Sequence, residues 1–151
     1  MSLKIGDTVP LFTLENSEQN AFSIADVLGK KPLVIYFYPK NNTPGCTKQA
    51  CDFRDAYEDF KDLGAIVIGI SSDSVKSHAS FKVKYKLPFI LLADVKGRVR
   101  KLFGIKNNLL LLPGRETYVI DKSGKIIMVF NSINASEHMK RAFKALSKST
   151  I

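Results

Sequence analysis

Only two cysteines and two histidines occur in 151 residues. Two cysteines cannot build a disulfide-stapled secreted scaffold, so the pair are inert core thiols, metal ligands or working thiols. No apolar run approaches the ~20 residues that cross a bilayer, and no membrane partner is expected. The opening MSLKIGDTVP holds neither a signal-peptide core nor an Arg/Ser-rich presequence, so the expected location is the cytoplasm. Internal repeats and low-complexity stretches are absent. There is no Gly-rich dinucleotide fingerprint, so no organic cofactor is expected. The C-x-x-C of general disulfide exchangers is missing too, replaced by C-x₄-C. A zinc site from Cys46, Cys51, His78 and His138 is not expected, because that spacing is too wide and no second metal-spaced pair exists. The two histidines read as surface or packing residues.

Acidic residues are scarce in one region. Residues 76–106 hold nine basic side chains and one acidic one, within a chain of net charge +9. Such a segment can steer anions, but no nucleic-acid motif accompanies it, so a solvated Lys-rich surface is the expected reading and nucleic acid is not an expected partner.

The length suits one domain spanning residues 1–151. Residues 33–38, 65–70 and 89–93 are continuous apolar runs, as strands buried on both faces should be. Residues 44–63 predict a helix, with Thr43 at its N-cap, Pro44 in its first turn and Gly64 at its end. Phe53, Tyr57 and Phe60 give that helix one apolar face. Shorter helices are expected at 23–28, at 99–103 and from Ser74 or Ser77 to 85. A hairpin is expected at 116–120 and 125–130, with a final helix over 136–146. At the N-terminus, 4–12 predicts a loose hairpin or edge strand and 13–20 a polar turn. Strands alternating with helices, then a hairpin, predict an α/β fold: a thioredoxin-like three-layer sandwich with a central mixed sheet flanked by helices. The loop after 33–38 then lies at the carboxyl end of a central strand, where such sheets place their sites.

That loop leads to Cys46, in the first turn of its helix and, by position, near the surface. A free thiol of pKa ~8.5 is only ~3% thiolate at pH 7, and about 3.4 kcal/mol is needed to bring such a group to ~6. A helix N-terminus supplies ~0.3–2 kcal/mol, so a working thiol here needs a cation or further hydrogen bonds. Thr43 offers a hydroxyl, unless it serves only as a cap. Arg115 offers a permanent charge and a two-pronged donor, unless it simply pairs with Glu116 or Asp121. The backbone N–H groups of Gly45 and Cys46 are uncommitted in a first turn. Cys51 lies five residues on. On a regular helix the two Cα atoms stand ~8.6 Å apart, beyond the ~7 Å a disulfide tolerates. A bond between them therefore requires local unwinding.

With these residues in view, the chain resembles the peroxiredoxins, in the subgroup called peroxiredoxin Q or bacterioferritin comigratory protein. Pro39-Lys40-Asn41-Asn42-Thr43-Pro44-Gly45-Cys46 matches the family's P-x-x-x-T-x-x-C, and TPGCTKQAC over 43–51 matches the subgroup. SSDSVKSHASFKVKYKLPFILLAD and PGRETYVID come next, in the family's order. The resemblance implies a thiol peroxidase acting on hydrogen peroxide and organic hydroperoxides. It implies that Cys46 is the peroxidatic thiol, oxidised to a sulfenic acid, and Cys51 the resolving thiol that closes an intramolecular disulfide. It further implies that Thr43 and Arg115 orient peroxide, that Pro39 shields the sulfur, and that thioredoxin or a similar dithiol recycles a monomer. Tyr118, where Phe is common, the 40–42 loop and the 109–112 run depart from the pattern and bear on substrate preference. A processed plastid form is the alternative to a cytoplasmic one, because plant plastid members are similar.

Overall fold

Three parallel strands form the middle of the molecule: β3 (Leu33–Phe37), β4 (Ile66–Ser71) and β5 (Ile90–Ala93). The structure is a computed structural model that describes residues 3–105 and 114–149; the 109–112 run lies outside them. β6 (Glu116–Ile120) adds antiparallel to β3, and β7 (Ile126–Asn131) to β6. β1 (Thr13–Asn16) lies antiparallel to β5, and β2 (Ala21–Ser23) to β1. The sheet order is β2-β1-β5-β4-β3-β6-β7. The expected mixed sheet between helices is present.

Alternation along β3 divides the core in two. Leu33, Ile35 and Phe37 face Ile24 and, from α4 (Arg98–Leu102) and the residue after it, Val99 and Phe103. Val34 and Tyr36 face the other layer, built from α1 (Pro44–Asp55), α2 (Tyr57–Asp62), α3 (Val75–Lys84) and α5 (His138–Ser149), which contribute Phe53, Phe60, Phe81 and Leu146. All four are fully buried, worth roughly 1.5–3 kcal/mol each. Tyr36 stacks on Phe53 with ring centroids 4.7 Å apart, fixing α1 against the sheet. Gly69 allows that stack, since a Cβ there would lie 2.8 Å from Tyr36 Cζ.

Three expectations change. The strand pair near the N-terminus is β1–β2, within and after the stretch read as turn, while 4–12 contributes only one bridge, Thr8 to Lys125. Its turn is made by a side chain: Asn16 Oδ1 accepts from the amides of Glu18 and Asn20 at 2.9 and 3.0 Å. The helix expected over 44–63 breaks at Ala56 (φ −96°, ψ 3°) into α1 and α2. The 23–28 helix is a single 3₁₀ turn, Ile24–Asp26, and Ser23 makes no side-chain cap bond. The described lysines of the basic segment and Arg98 are exposed or half-buried, but Arg100 is buried.

Candidate active site

β3 delivers the chain to Pro39 at the carboxyl end of the sheet, and the loop 40–43 turns it into α1. A buried polar network braces that loop. Asn41 is 3% exposed. Its Oδ1 accepts from Tyr38 Oη at 2.6 Å, and its backbone N–H donates to Asp73 Oδ2 at 2.9 Å. Its Nδ2 donates to Ser77 Oγ at 3.1 Å and faces His78 Nδ1, also at 3.1 Å. Because Nδ2 can only donate, His78 Nδ1 is bare and Nε2 carries the proton, 3.3 Å from Ser71 Oγ. Ser71 Oγ donates onward to Asp73 Oδ2 at 2.6 Å. Burial lowers the His78 pKa, with Asp73 acting in the opposite direction. The loop is thereby tied to β4 and α3.

Thr43 holds the N-cap position by its backbone, and its carbonyl accepts from Thr47 N–H at 2.9 Å. Its hydroxyl makes no cap bond; it donates to the Lys40 carbonyl at 2.9 Å, leaving its lone pairs to accept. The amides of Gly45 and Cys46 lie in the first turn, without intrahelical acceptors.

Cys46 is buried, 1% exposed, which corrects the expectation of a near-surface thiol. The cover comes from a distant part of the chain. Arg115, the residue before β6, places Nη2 3.4 Å from Cys46 Sγ, while Nη1 donates to Gln49 Oε1. A thiolate accepts such a charge-assisted bond far better than a thiol does. The alternative ion pairs for Arg115 are not made: Glu116 accepts from Asn131 Nδ2 at 3.2 Å, and Asp121 caps its own turn through Ser123 and Lys125. Gly45 makes room for the guanidinium, since a Cβ there would come within 3.1 Å of Arg115 Nη2.

The structure thus brings together Cys46, Arg115, Gly45 and the Thr43 loop, with Pro39 half-buried at the loop's start. Cys51 stands apart, half-buried further along the unbroken α1, and both thiols are free. Gln49 was missed. It is fully buried and one turn after Cys46; its sequence signals are the i, i+3 spacing from the cysteine and its place in the TPGCTKQAC motif.

Both histidines are interior, so neither is a surface residue. His138 Nε2 lies 2.8 Å from the Ser132 carbonyl, which can only accept, so Nε2 is protonated and Nδ1 receives the Thr117 hydroxyl at 2.7 Å. Burial pushes its pKa down to about 4; the Ser132 bond works against this and Arg115 adds to it. Unfolded, the ring titrates near ~6.5. The unfolded chain therefore binds the extra proton first, and stability full above pH 6.5 is lost as pH falls toward about 4. Urea unfolding should show up to ~3 kcal/mol of such loss, and a His138→Gln variant should show a flatter pH dependence. An identical slope would remove His138 as its source.

The family model described as AhpC/TSA matches residues 5–129. The chain belongs to the AhpC/TSA family. It is 51% identical over 143 residues to a chloroplastic peroxiredoxin Q of Sedum lineare, covering 93% of this chain and 76% of that one. It covers 65% of the rice (Oryza sativa subsp. japonica) counterpart, at 49% identity. Among solved structures, the peroxidoxin BcpB of Mycobacterium tuberculosis superimposes with a TM-score of 0.90 at 36% identity, over 97% of each chain. The bacterioferritin comigratory protein of Xanthomonas campestris, known for alkyl peroxide reduction, gives 0.87 at 29% identity, over 96% of this chain and all of that one. This AhpC/TSA member is therefore a peroxiredoxin of the Q type, an oxidoreductase with thiol peroxidase chemistry on a thioredoxin-like fold.

Proposed function

We propose that the protein reduces hydrogen peroxide and organic hydroperoxides with Cys46 as nucleophile and Cys51 as resolving thiol. The observation that carries this reading is the Arg115 guanidinium held between Cys46 Sγ and Gln49. The Cys46 thiolate attacks one peroxide oxygen and the O–O bond breaks. Cys46 becomes a sulfenic acid, and the leaving alkoxide or hydroxide departs after taking a proton. Thr43 Oγ, its own hydrogen committed to Lys40, accepts from the peroxide O–H. Arg115 and the Gly45 and Cys46 amides stabilise charge on the departing oxygen. Pro39 limits water at the sulfur.

The Cys51 thiolate then attacks Cys46 Sγ, expels hydroxide that is protonated to water, and forms an intramolecular disulfide. A dithiol protein of thioredoxin type reduces it and restores both thiols. The alkyl peroxide activity of the Xanthomonas relative supports organic hydroperoxides as substrates. The working unit in this reading is one monomer, since both thiols lie on one helix. The chloroplastic relatives support a processed plastid form as the alternative to a cytoplasmic one.

Steady-state turnover tests the cycle. Peroxide consumption should continue over many equivalents when thioredoxin, its reductase and NADPH are present. It should stop after one equivalent without them. Sustained turnover without any thiol donor, or none with it, would contradict the scheme.

A further inference from the structure

Arg100 is the least expected charge in the molecule. It sits in α4, across the sheet from α1, and is only 7% exposed. Burying a guanidinium is costly unless its donors are satisfied. Here backbone takes one donor from each arm: Nη1 donates to the Gly114 carbonyl at 2.7 Å and Nη2 to the Tyr38 carbonyl at 3.0 Å. The group lies 5.6 Å over the Phe37 ring. Asp94 fixes its backbone by accepting from the amides of Val99 and Arg100 at 3.2 and 2.9 Å.

Each of the two carbonyls belongs to a residue that leads directly into the site. Tyr38 precedes Pro39 and the loop to Cys46, and Gly114 precedes Arg115. The β3–β6 ladder ends at its last registered pair, Phe37 with Glu116. Past that pair the two strands part, and the segments carrying nucleophile and guanidinium leave the sheet. Arg100 bridges them where the ladder stops.

We propose that Arg100 is a positioning residue for peroxide reduction, its fork bridging the Tyr38 and Gly114 carbonyls so that Arg115 and Cys46 stay in register. A planar fork holds two carbonyls at a spacing set by its two nitrogens, whereas the rotatable donors of an ammonium all sit on one nitrogen and set no such spacing. Among the described residues no carboxylate lies within ion-pair distance of Arg100, although Asp94 and then Glu116 act on its charge from further off. That charge and a Cys46 thiolate attract each other. The inference rests on the assignment of Cys46 and Arg115 made above.

The test separates register from charge and from folding. Two stopped-flow rates are measured on reduced protein: oxidation by hydrogen peroxide, and alkylation by iodoacetamide across pH. Alkylation needs the thiolate but not the Arg115–peroxide alignment. Arg100→Lys, which keeps the charge and loses the fork, should slow peroxide oxidation about 10–100-fold, the scale of an ångström's misplacement. Its alkylation rate and pH midpoint should stay close to wild type. Arg100→Gln should slow peroxide oxidation at least as much and move the alkylation midpoint upward. A natively folded Arg100→Lys that oxidises within about twofold of wild type would overturn the proposal. So would an equal fall in both rates. Failure of both variants to give a native near-UV spectrum would overturn it too, since Arg100 would then hold the fold rather than the site. Arg115→Lys, run alongside, distinguishes the two levels. If it oxidises normally, the site reading itself has failed and this proposal with it; if it is slow while Arg100→Lys is not, only the proposal falls.

Discussion

Replacing Cys46 with serine should reduce peroxide consumption to the uncatalysed background. Serine nearly matches cysteine in size, so the buried position under Arg115 and the Tyr36–Phe53 stack that anchors α1 should survive. What disappears is the proposed nucleophile, since a hydroxyl is a far weaker nucleophile than a thiolate. Peroxide loss monitored with the full thioredoxin system reads this directly, and a native near-UV spectrum shows that fold is not the cause. Retained turnover would mean that Cys46 is a core thiol and that the chemistry lies elsewhere.

The second large effect concerns Cys51→Ser. That variant should reduce one equivalent of peroxide at the wild-type rate and then stop, holding a sulfenic acid that dimedone traps. No cycling with thioredoxin should occur after that. The reason is mechanical as well as chemical. α1 runs unbroken through both cysteines, and a regular helix holds their Cα atoms ~1.6 Å beyond the disulfide limit. Closing the bond must therefore pull Cys46 out from under Arg115 and unwind residues 46–52. The Arg115 bonds to Cys46 and Gln49 are lost in that step, while Phe53, stacked on Tyr36, remains the helix's anchor beyond the unwound turn. Hydrogen exchange should accordingly rise over 46–52 in oxidised wild type. It should stay at its reduced level in peroxide-treated Cys51→Ser. A variant that still formed an internal bond, or an oxidised wild type with undisturbed α1, would contradict the two-thiol scheme.

The central strands were legible because β3, β4 and β5 are continuous apolar runs, and no other pattern buries them as well. The β1–β2 hairpin was not, because its short strands offer too few inward residues for alternation to register, and a side-chain oxygen of Asn16 makes the turn. The break at Ala56 was hidden because Phe53, Tyr57 and Phe60 keep helical spacing straight through it. At the site, the turn from β3 through Pro39 into a helix that starts at Pro44 was legible from residue order. The burial of Cys46 was not, since its cover is an arginine 69 positions away. Gln49 lies within the TPGCTKQAC motif, but nothing in its order shows that it meets Arg115. Arg100 was concealed within a basic segment whose other described cations are exposed or half-buried, and only the sheet's topology brings it behind the site.

The measurement that bears most directly on the account is intact mass with a free-thiol count, after one equivalent of hydrogen peroxide and no reductant. A loss of about two mass units with both thiols consumed is the predicted result, since disulfide formation removes two hydrogens. A gain of about one oxygen, ~16 mass units, with Cys51 still free would contradict it. Cys46 would then be reactive, but its partner would be a thiol outside the chain.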